Sequence, residues 1–373
     1  KHISEKHSHA TETDCRVTLE HIDSIPESSE KTILQCLFDI THNQTFDSST
    51  LESQLIKEDL LTSLAKKVIQ SLQSCSNDMT TARNKLIKLL AEVRPLDIAE
   101  TQYLVDKTIE ASKLIQGQEI VLFVGPTGAG KTTTILFLSG AELVLEQYEY
   151  APGKSVPHIT AKEPLKYEAM RPLKTSPLSK SETRYIYPIS IPVRDIIPGA
   201  SGNITFCDAA GSGDLAGAEV DIANTVGLVN ALAKCNSVKI VCLVSYVGMG
   251  SRSEGITDIA HLLSELLPDI KSRLPSISYC FTKFQPDFKL TDRLVEVRTT
   301  MNNRDVVDPA VDAILNDMIK KTRNRESLFL LNPLTDSPED FVQELLDQEP
   351  IKYPDSAFSI AIGKETRATI QKQ

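Results

Sequence analysis

The sequence predicts a doubly wound α/β fold preceded by an all-helical N-terminal domain. Three observations carry this. From residue 30 to 116 apolar residues recur three and four positions apart, the period of amphipathic helices. After Gly117 short β-branched and aromatic runs alternate with helical stretches, the pattern of a sheet covered by helices. Between the first such strand and the first such helix stands Gly125-Pro-Thr-Gly-Ala-Gly-Lys-Thr132, a glycine-rich turn with the spacing of a phosphate cradle.

In chain order, residues 1–29 are polar and show no sustained period, which predicts a flexible N-terminal arm. His2, His7 and His9 lie there, and a solvated polar tail explains them better than a metal site. The helical domain, 30–116, rests on Ile33, Leu34 and Leu37; on Leu60, Leu61, Leu64, Val68, Ile69 and Leu72; on Leu86, Leu89, Leu90 and Val93; and on Leu104, Val105 and Ile109. Asp78 suits the N-cap of a helix over 80–93, and Pro95 ends it. The α/β domain, 117–348, predicts strands at 119–124, 183–193, 203–207, 238–246, 276–281 and 327–331. Helices are expected at 131–138, 216–232, 256–267, 292–301, 309–321 and 338–346, with a C-terminal tail over 349–373. Residues 148–181, punctuated by prolines and lysines, read as one long basic loop and a candidate switch or partner segment. Leu138-Ser-Gly-Ala-Glu142 reads as helix termination at Gly140.

The 373-residue chain has room for two or three domains, and its 41% apolar content fills real cores. A net charge of −10 argues against a surface built mainly for nucleic acid or anionic lipid. The cysteines at 15, 36, 75, 207, 235, 242 and 280 form no C-x-x-C pair and no metal-ligand spacing, as expected of reduced thiols in a cytoplasmic protein. No apolar run approaches the roughly 20 residues of a transmembrane helix, and no signal peptide opens the chain. A start at Lys1 rather than methionine reads as a segment of a longer protein.

The glycine-rich turn matches the P-loop pattern in full and follows the apolar run Ile120-Val-Leu-Phe-Val124. Gly125, Pro126, Thr127, Gly128, Ala129 and Gly130 supply backbone N–H groups that curl round a phosphate, and the following helix aims its positive end at the same oxygens. Lys131 adds a point charge, Thr132 offers a hydroxyl to Mg²⁺, and Thr133 continues the cradle. A second acidic Mg²⁺ site is expected at a neighbouring strand end, where Asp208 closes Asn203-Ile-Thr-Phe-Cys-Asp208. Asp208-Ala-Ala-Gly211 then reads as a D-x-x-G loop whose Gly211 N–H approaches the γ-phosphate.

The run from Asp208 to Asp221, with Asp214, Gly217 and Glu219, resembles the corresponding segment of septins and of the immunity-associated GTPases. The resemblance covers roughly 117–332 and has Ala209-Ala210 where those families carry Thr-Pro. It implies a P-loop NTPase sheet of the G-domain kind that binds GTP or GDP with Mg²⁺, and assembly as a homo-oligomer or with protein partners through the nucleotide-facing surface or the N-terminal helices. It also implies a base-reading motif after the fifth strand, here Thr282-Lys283-Phe284-Gln285, with Gln285 in place of the guanine-binding aspartate, and a base-contacting loop at Asn332. For the switch threonine that closes on Mg²⁺, Thr183 is the first choice and Thr175 the second. Ser212 stands where Ras-like proteins carry a water-orienting glutamine, so slow or partner-assisted hydrolysis is expected, with Arg252 a candidate contact in trans. An ATP-binding P-loop ATPase and a nucleotide-binding scaffold without turnover are the alternatives.

Overall fold

The computed structural model describes residues 22–23, 27–42, 44, 48–74, 79–93, 98–151, 153–176, 185–209, 218–246, 254–284, 288–302, 308–324, 326 and 328–359. The chain divides into two compact units, one of Lys1–Tyr103 with Lys364–Gln373 and one of Leu104–Gly363.

The first unit contains the helices α1 (Ser29–Thr41), α2 (Ser48–Lys57), α3 (Ser63–Ser74) and α4 (Met79–Val93). Helix α1 starts where Ser28 Oγ accepts the Lys31 N–H at 3.2 Å and the Glu58 carboxylate accepts the Ser29 N–H at 3.0 Å. Both contacts satisfy donors that the first helical turn leaves open. Ile33, Leu34 and Leu37 meet Leu51, Leu55, Val68, Ile69, Leu86 and Leu89 in one buried cluster. Helix α2 is absent from the sequence expectation because only Leu51 and Leu55 mark its inner face, too little to establish a period. Asp78 and Pro95, expected to bound α4, lie outside the described residues, as do His2, His7 and His9.

Helix α5 (Ile98–Ile115) belongs to the second unit from Leu104 onward. Its buried positions there are Leu104, Thr108, Ala111, Ser112 and Ile115, whereas Ile109, part of the expected apolar stripe, is 44% exposed. Small hydroxyl residues take the inner face because their polar atoms are satisfied within the helix: Thr108 donates to the Leu104 carbonyl at 3.0 Å and Ser112 to that of Ile109 at 2.7 Å.

The chain continues through β1 (Glu119–Val124), α6 (Lys131–Leu138), β2 (Leu143–Ala151), β3 (Lys154–Ala161), β4 (Tyr187–Pro192), β5 (Asn203–Asp208), α7 (Ala218–Leu232), β6 (Ser237–Ser245) and α8 (Glu254–Leu266). After these come α9 (Ile270–Arg273), β7 (Ile277–Thr282), α10 (Leu290–Asn302), α11 (Pro309–Asn324), β8 (Leu328–Leu331), α12 (Pro338–Asp347), β9 (Ile351–Lys352) and α13 (Pro354–Ala357). The main sheet has the order β4-β5-β1-β6-β7-β8, with β9 paired to β6. Neighbours run parallel except β4 on β5 and β9 on β6.

Alternate residues of β1 enter different cores. Ile120, Leu122 and Val124 pack with Leu232 of α7, Leu263 of α8, Leu294 of α10 and Ile314 of α11. Val121 and Phe123 pack with Ile135 of α6 and Phe341 of α12. Helices therefore cover both faces, which explains why the parallel strands read as continuous apolar runs. This is the doubly wound sheet expected from the sequence.

Three stretches depart from expectation. Residues 148–181 are not one loop: β2 and β3 form an antiparallel hairpin of their own, pairing Leu143 with Ala161, Glu146 with His158 and Tyr148 with Val156. The turn passes Gly153 at φ 73°, in the Pro-Gly pair that marks it. Strand β2 escapes notice because residues 145–149 include the exposed Leu145 and Tyr148, so apolar and polar positions do not alternate. Strand β4 begins at Tyr187 rather than 183, and 181–184 lie outside the described residues. The expected C-terminal tail contains β9 and α13, with Ile351, Ala357 and Phe358 buried. Helix α6 ends as read, at Gly140 with φ 76° and with the Ala141 N–H on the Leu136 carbonyl at 3.0 Å.

Candidate functional site

A parallel sheet gathers the ends of its strands along one edge, and that edge is where such folds bind ligands. The turn after β1, Asp208 ending β5, Ser245 ending β6, Thr282 ending β7 and Asn332 after β8 all stand there.

The turn after β1 bends at once. Gly125 has φ 152°, and a Cβ on it would stand 2.6 Å from the Leu243 carbonyl oxygen of β6, too close for any side chain. Gly130 caps α6 at φ 94°, in the left-handed region that glycine adopts without strain. Between them the Ala129 N–H closes a turn on the Pro126 carbonyl at 3.1 Å. Lys131, only 6% exposed, folds back over this loop and donates to the carbonyls of Gly125 at 2.9 Å and Pro126 at 3.2 Å. The ammonium thus sits at the centre of the loop. Thr127 Oγ1 is buried there without a hydrogen-bond partner. Thr133 is half-buried on the first turn of α6.

Asp208 is fully buried and opposite Phe123 in the register of β5 on β1. Its Oδ2 accepts a hydrogen bond from Thr132 Oγ1 at 2.6 Å. A hydroxyl and a carboxylate, 76 residues apart in sequence, are therefore side by side at the mouth of the loop.

Strand β7 supplies the opposite wall. Thr282 Oγ1 donates to the Ala129 carbonyl at 2.7 Å and Lys283 Nζ to the Gly128 carbonyl at 2.9 Å. Desolvation against the loop holds the Lys283 ammonium below the ordinary lysine range. Lys283 adopts φ 61°, an unusual backbone for a long side chain. An aromatic group anchors the chain beside it: Phe284 makes edge contacts with Phe281, Phe288 and Tyr246 at centroid distances of 5.6, 5.0 and 5.4 Å.

The expected residues fall into three groups. Gly125, Pro126, Thr127, Gly128, Ala129, Gly130, Lys131, Thr132, Thr133, Asp208, Thr282 and Lys283 come together as one site. Asn332 stands on the same edge, one residue past the Thr282–Leu331 pair, but its Oδ1 accepts from the Leu334 N–H at 3.2 Å and closes a local turn. Thr183, Gly211, Ser212, Asp214, Gly217, Arg252 and Gln285 lie outside the described residues. Thr175, the second choice for the switch threonine, donates to the Ile159 carbonyl of β3 at 3.1 Å. Sequence reading missed Leu243, whose carbonyl forces glycine at 125, and, away from that loop, the β2–β3 hairpin. Only the Pro152-Gly153 pair signalled the hairpin.

No family model matches the chain, and no curated protein matches it. Among solved structures the chain is similar to the signal recognition particle receptor SRb-GTP/SRX complex from Chaetomium thermophilum, at 16% identity and a TM-score of 0.33, covering 63% of this chain and 98% of that one. A likeness of that degree fixes neither the topology nor the chemistry of this chain.

Proposed function

We propose that this chain is a Mg²⁺-dependent guanine-nucleotide-binding switch protein with slow or partner-assisted GTP hydrolysis. The observation that carries the reading is the Thr132–Asp208 hydrogen bond of 2.6 Å at the mouth of a loop already folded round the Lys131 ammonium. The donor set fits Mg²⁺, which takes hard oxygens, few of them from protein. Among the described residues no cluster of three or more His, Cys, Asp or Glu side chains is suited to a metal, so the ion would arrive with the phosphates. Thr132 and Asp208 would hold it, and the ion would neutralise charge on the phosphoryl oxygens.

The chain's own groups account for the rest. Backbone N–H groups of the loop and the positive end of α6 receive the phosphates, and Lys131 exchanges its two carbonyl partners for phosphate oxygens. The buried Thr127 hydroxyl offers a further donor. Thr282 and Lys283 brace the loop from β7, as a base-reading motif coupled to a phosphate cradle would. The resemblance to septins and immunity-associated GTPases supports guanine preference and nucleotide-controlled assembly. The buried cysteines Cys36, Cys207, Cys235, Cys242 and Cys280 suit a reducing cytoplasm. Among the described residues no helix is long and apolar enough to cross a membrane.

The test is equilibrium binding of GDP, GTP and ATP to the purified chain with and without Mg²⁺. GTP is expected to outcompete ATP, Asp208→Asn to abolish the Mg²⁺ dependence, and Lys131→Met to lose roughly ten- to a hundredfold in affinity, the worth of a charged hydrogen bond. Equal affinity for ATP would sink the guanine assignment, and unchanged binding by Lys131→Met would sink the site.

A further inference from the structure

Helix α5 runs unbroken from Ile98 to Ile115, yet residues 98–103 belong to the first unit and 104–115 to the second. Within the second unit it lies alongside α7, and the two run in the same direction: Leu104 meets Val220 and Ala223, Thr108 faces Gly227, and Ser112 Oγ accepts from Lys234 Nζ at 3.0 Å. The two ends of this pairing are built differently. Toward Ile115 the fit is close and fastened. A Cβ on Gly227 would stand 2.7 Å from Thr108 Cγ2, the Lys234 bond ties the turn beyond α7, and Ala111 and Ile115 join Ala231, Leu232 and Cys235 in one of the two large cores. Toward Leu104 the contact is a small apolar cluster of its own, in which Leu104, Val220 and Ala223 are buried and against which Val105 and Tyr185 pack half-buried. So small a cluster makes this the end that yields most easily.

The segments that meet there give the yielding end its meaning. Val220 and Ala223 lie on the first two turns of α7, which residues 209–217 join to Asp208 at the end of β5. Tyr185 stands between Thr183 and the start of β4, and Tyr187, the first residue of that strand, is opposite Asp208 in the pairing of β4 on β5. One segment connected to Asp208 and one connected to the expected switch threonine therefore come to rest on the same two residues of α5, Leu104 and Val105.

We propose that α5 is the element through which the nucleotide state is read: Leu104 and Val105 follow a shift of α7 and Tyr185 that accompanies exchange of GDP for GTP, and the unbroken helix passes it to residues 98–103 of the first unit. The proposal rests on the nucleotide-binding reading and deepens it by naming the regulated element. Interdigitated side chains do not absorb a displacement as a liquid would, so a helix packed in this way moves as a rod. Its fastened end supplies the pivot. Residues 98–103 lie beyond Leu104 from that pivot, where the displacement of a rod is largest.

The test is amide hydrogen exchange of the full chain loaded with GDP and with a non-hydrolysable GTP analogue, together with the affinity for each, in the wild type and in Leu104→Ala, Leu104→Met and Ile109→Ala, every variant first shown by its thermal melt to fold. In the wild type the amides of 101–107 are expected to exchange at rates about tenfold apart in the two states, the size of an ordinary coupling between sites. Leu104→Ala should erase most of that difference and, because coupling is reciprocal, change the ratio of GTP to GDP affinity by a similar factor. Leu104→Met keeps the buried volume, and Ile109 is exposed on the same helix; both variants should behave as the wild type. If Leu104→Ala does not fold, Val105→Ala at the half-buried side of the cluster replaces it, with the same outcomes. A wild type that binds both nucleotides with identical exchange in α5 would overturn the proposal. So would an undiminished difference in Leu104→Ala, or equal losses of GTP and GDP affinity there, the mark of a merely structural contact. A wild type that binds neither nucleotide would instead refute the reading on which the proposal rests.

Discussion

Gly227 lies inside helix α7, where alanine is ordinarily the better residue by about 1 kcal/mol. Here it faces α5 at close range. A Cβ at 227 would stand 2.7 Å from Thr108 Cγ2 and 2.9 Å from Thr108 Cβ, against roughly 3.5–4.0 Å for ordinary carbon contacts. Thr108 is 1% exposed and its hydroxyl is tied to the Leu104 carbonyl, so it cannot swing clear. The turn just past α7 is also fastened to α5, where Lys234 Nζ donates to Ser112 Oγ at 3.0 Å. Gly227→Ala therefore has to part α5 and α7 by about 1 Å, an overpacking that costs about 1–3 kcal/mol. Set against the helical gain, the expected net is a loss of up to about 2 kcal/mol, read as a lower urea midpoint at unchanged slope. In a Thr108→Gly background the obstruction is gone, and the same substitution should stabilise by about 1 kcal/mol. A stabilising Gly227→Ala in the otherwise unchanged protein would refute the close approach of the two helices.

Three further outcomes are expected. Asp317→Ala should cost about 3–5 kcal/mol, because it leaves the Lys321 ammonium, 12% exposed, without the carboxylate 2.9 Å away; Tyr279→Phe, which removes only the hydroxyl on the same Oδ2, should cost about 1 kcal/mol. Gly125→Ala should abolish nucleotide binding, since the added carbon meets the Leu243 carbonyl at 2.6 Å and displaces the start of the loop; wild-type affinity in calorimetry would contradict this. Because His158 titrates lower in the folded chain than the unfolded value of about 6.5, the unfolded state takes up more protons, and stability is lost as pH falls from about 6.5 through the folded value. Urea midpoints measured along that descent should fall less steeply in His158→Phe than in the wild type.

The parallel strands and the glycine-rich turn were legible in the sequence because each is set by local demands. A strand buried on both faces must be apolar throughout, as Ile120 to Val124 are, and a turn with φ beyond the reach of L side chains must be glycine, as at Gly125 and Gly130. Asp208 was legible because it follows the last apolar residue of such a strand. The hairpin was not, since β2 faces solvent over much of its length and its residues obey no buried period. Helix α5 misled for a related reason: the partner helix carries a glycine, so hydroxyl residues rather than Ile109 face inward. A stripe defined by apolarity cannot register a close approach that excludes large side chains.

The bonds from Thr282 to the Ala129 carbonyl and from Lys283 to the Gly128 carbonyl use acceptors that a ligand does not compete for. They set the apex of the glycine-rich loop without any ligand, which on the proposed function means before a nucleotide arrives. Ordering a residue's backbone costs about 1–2 kcal/mol, and a loop ordered in advance spares the encounter that entropy. Affinity in such a site is spent on holding the ligand rather than on shaping its receptor, which shows as slow release. Thr282→Val, which removes one of the two bonds, should therefore register first in the dissociation rate of a bound nucleotide, while the rate of capture changes little.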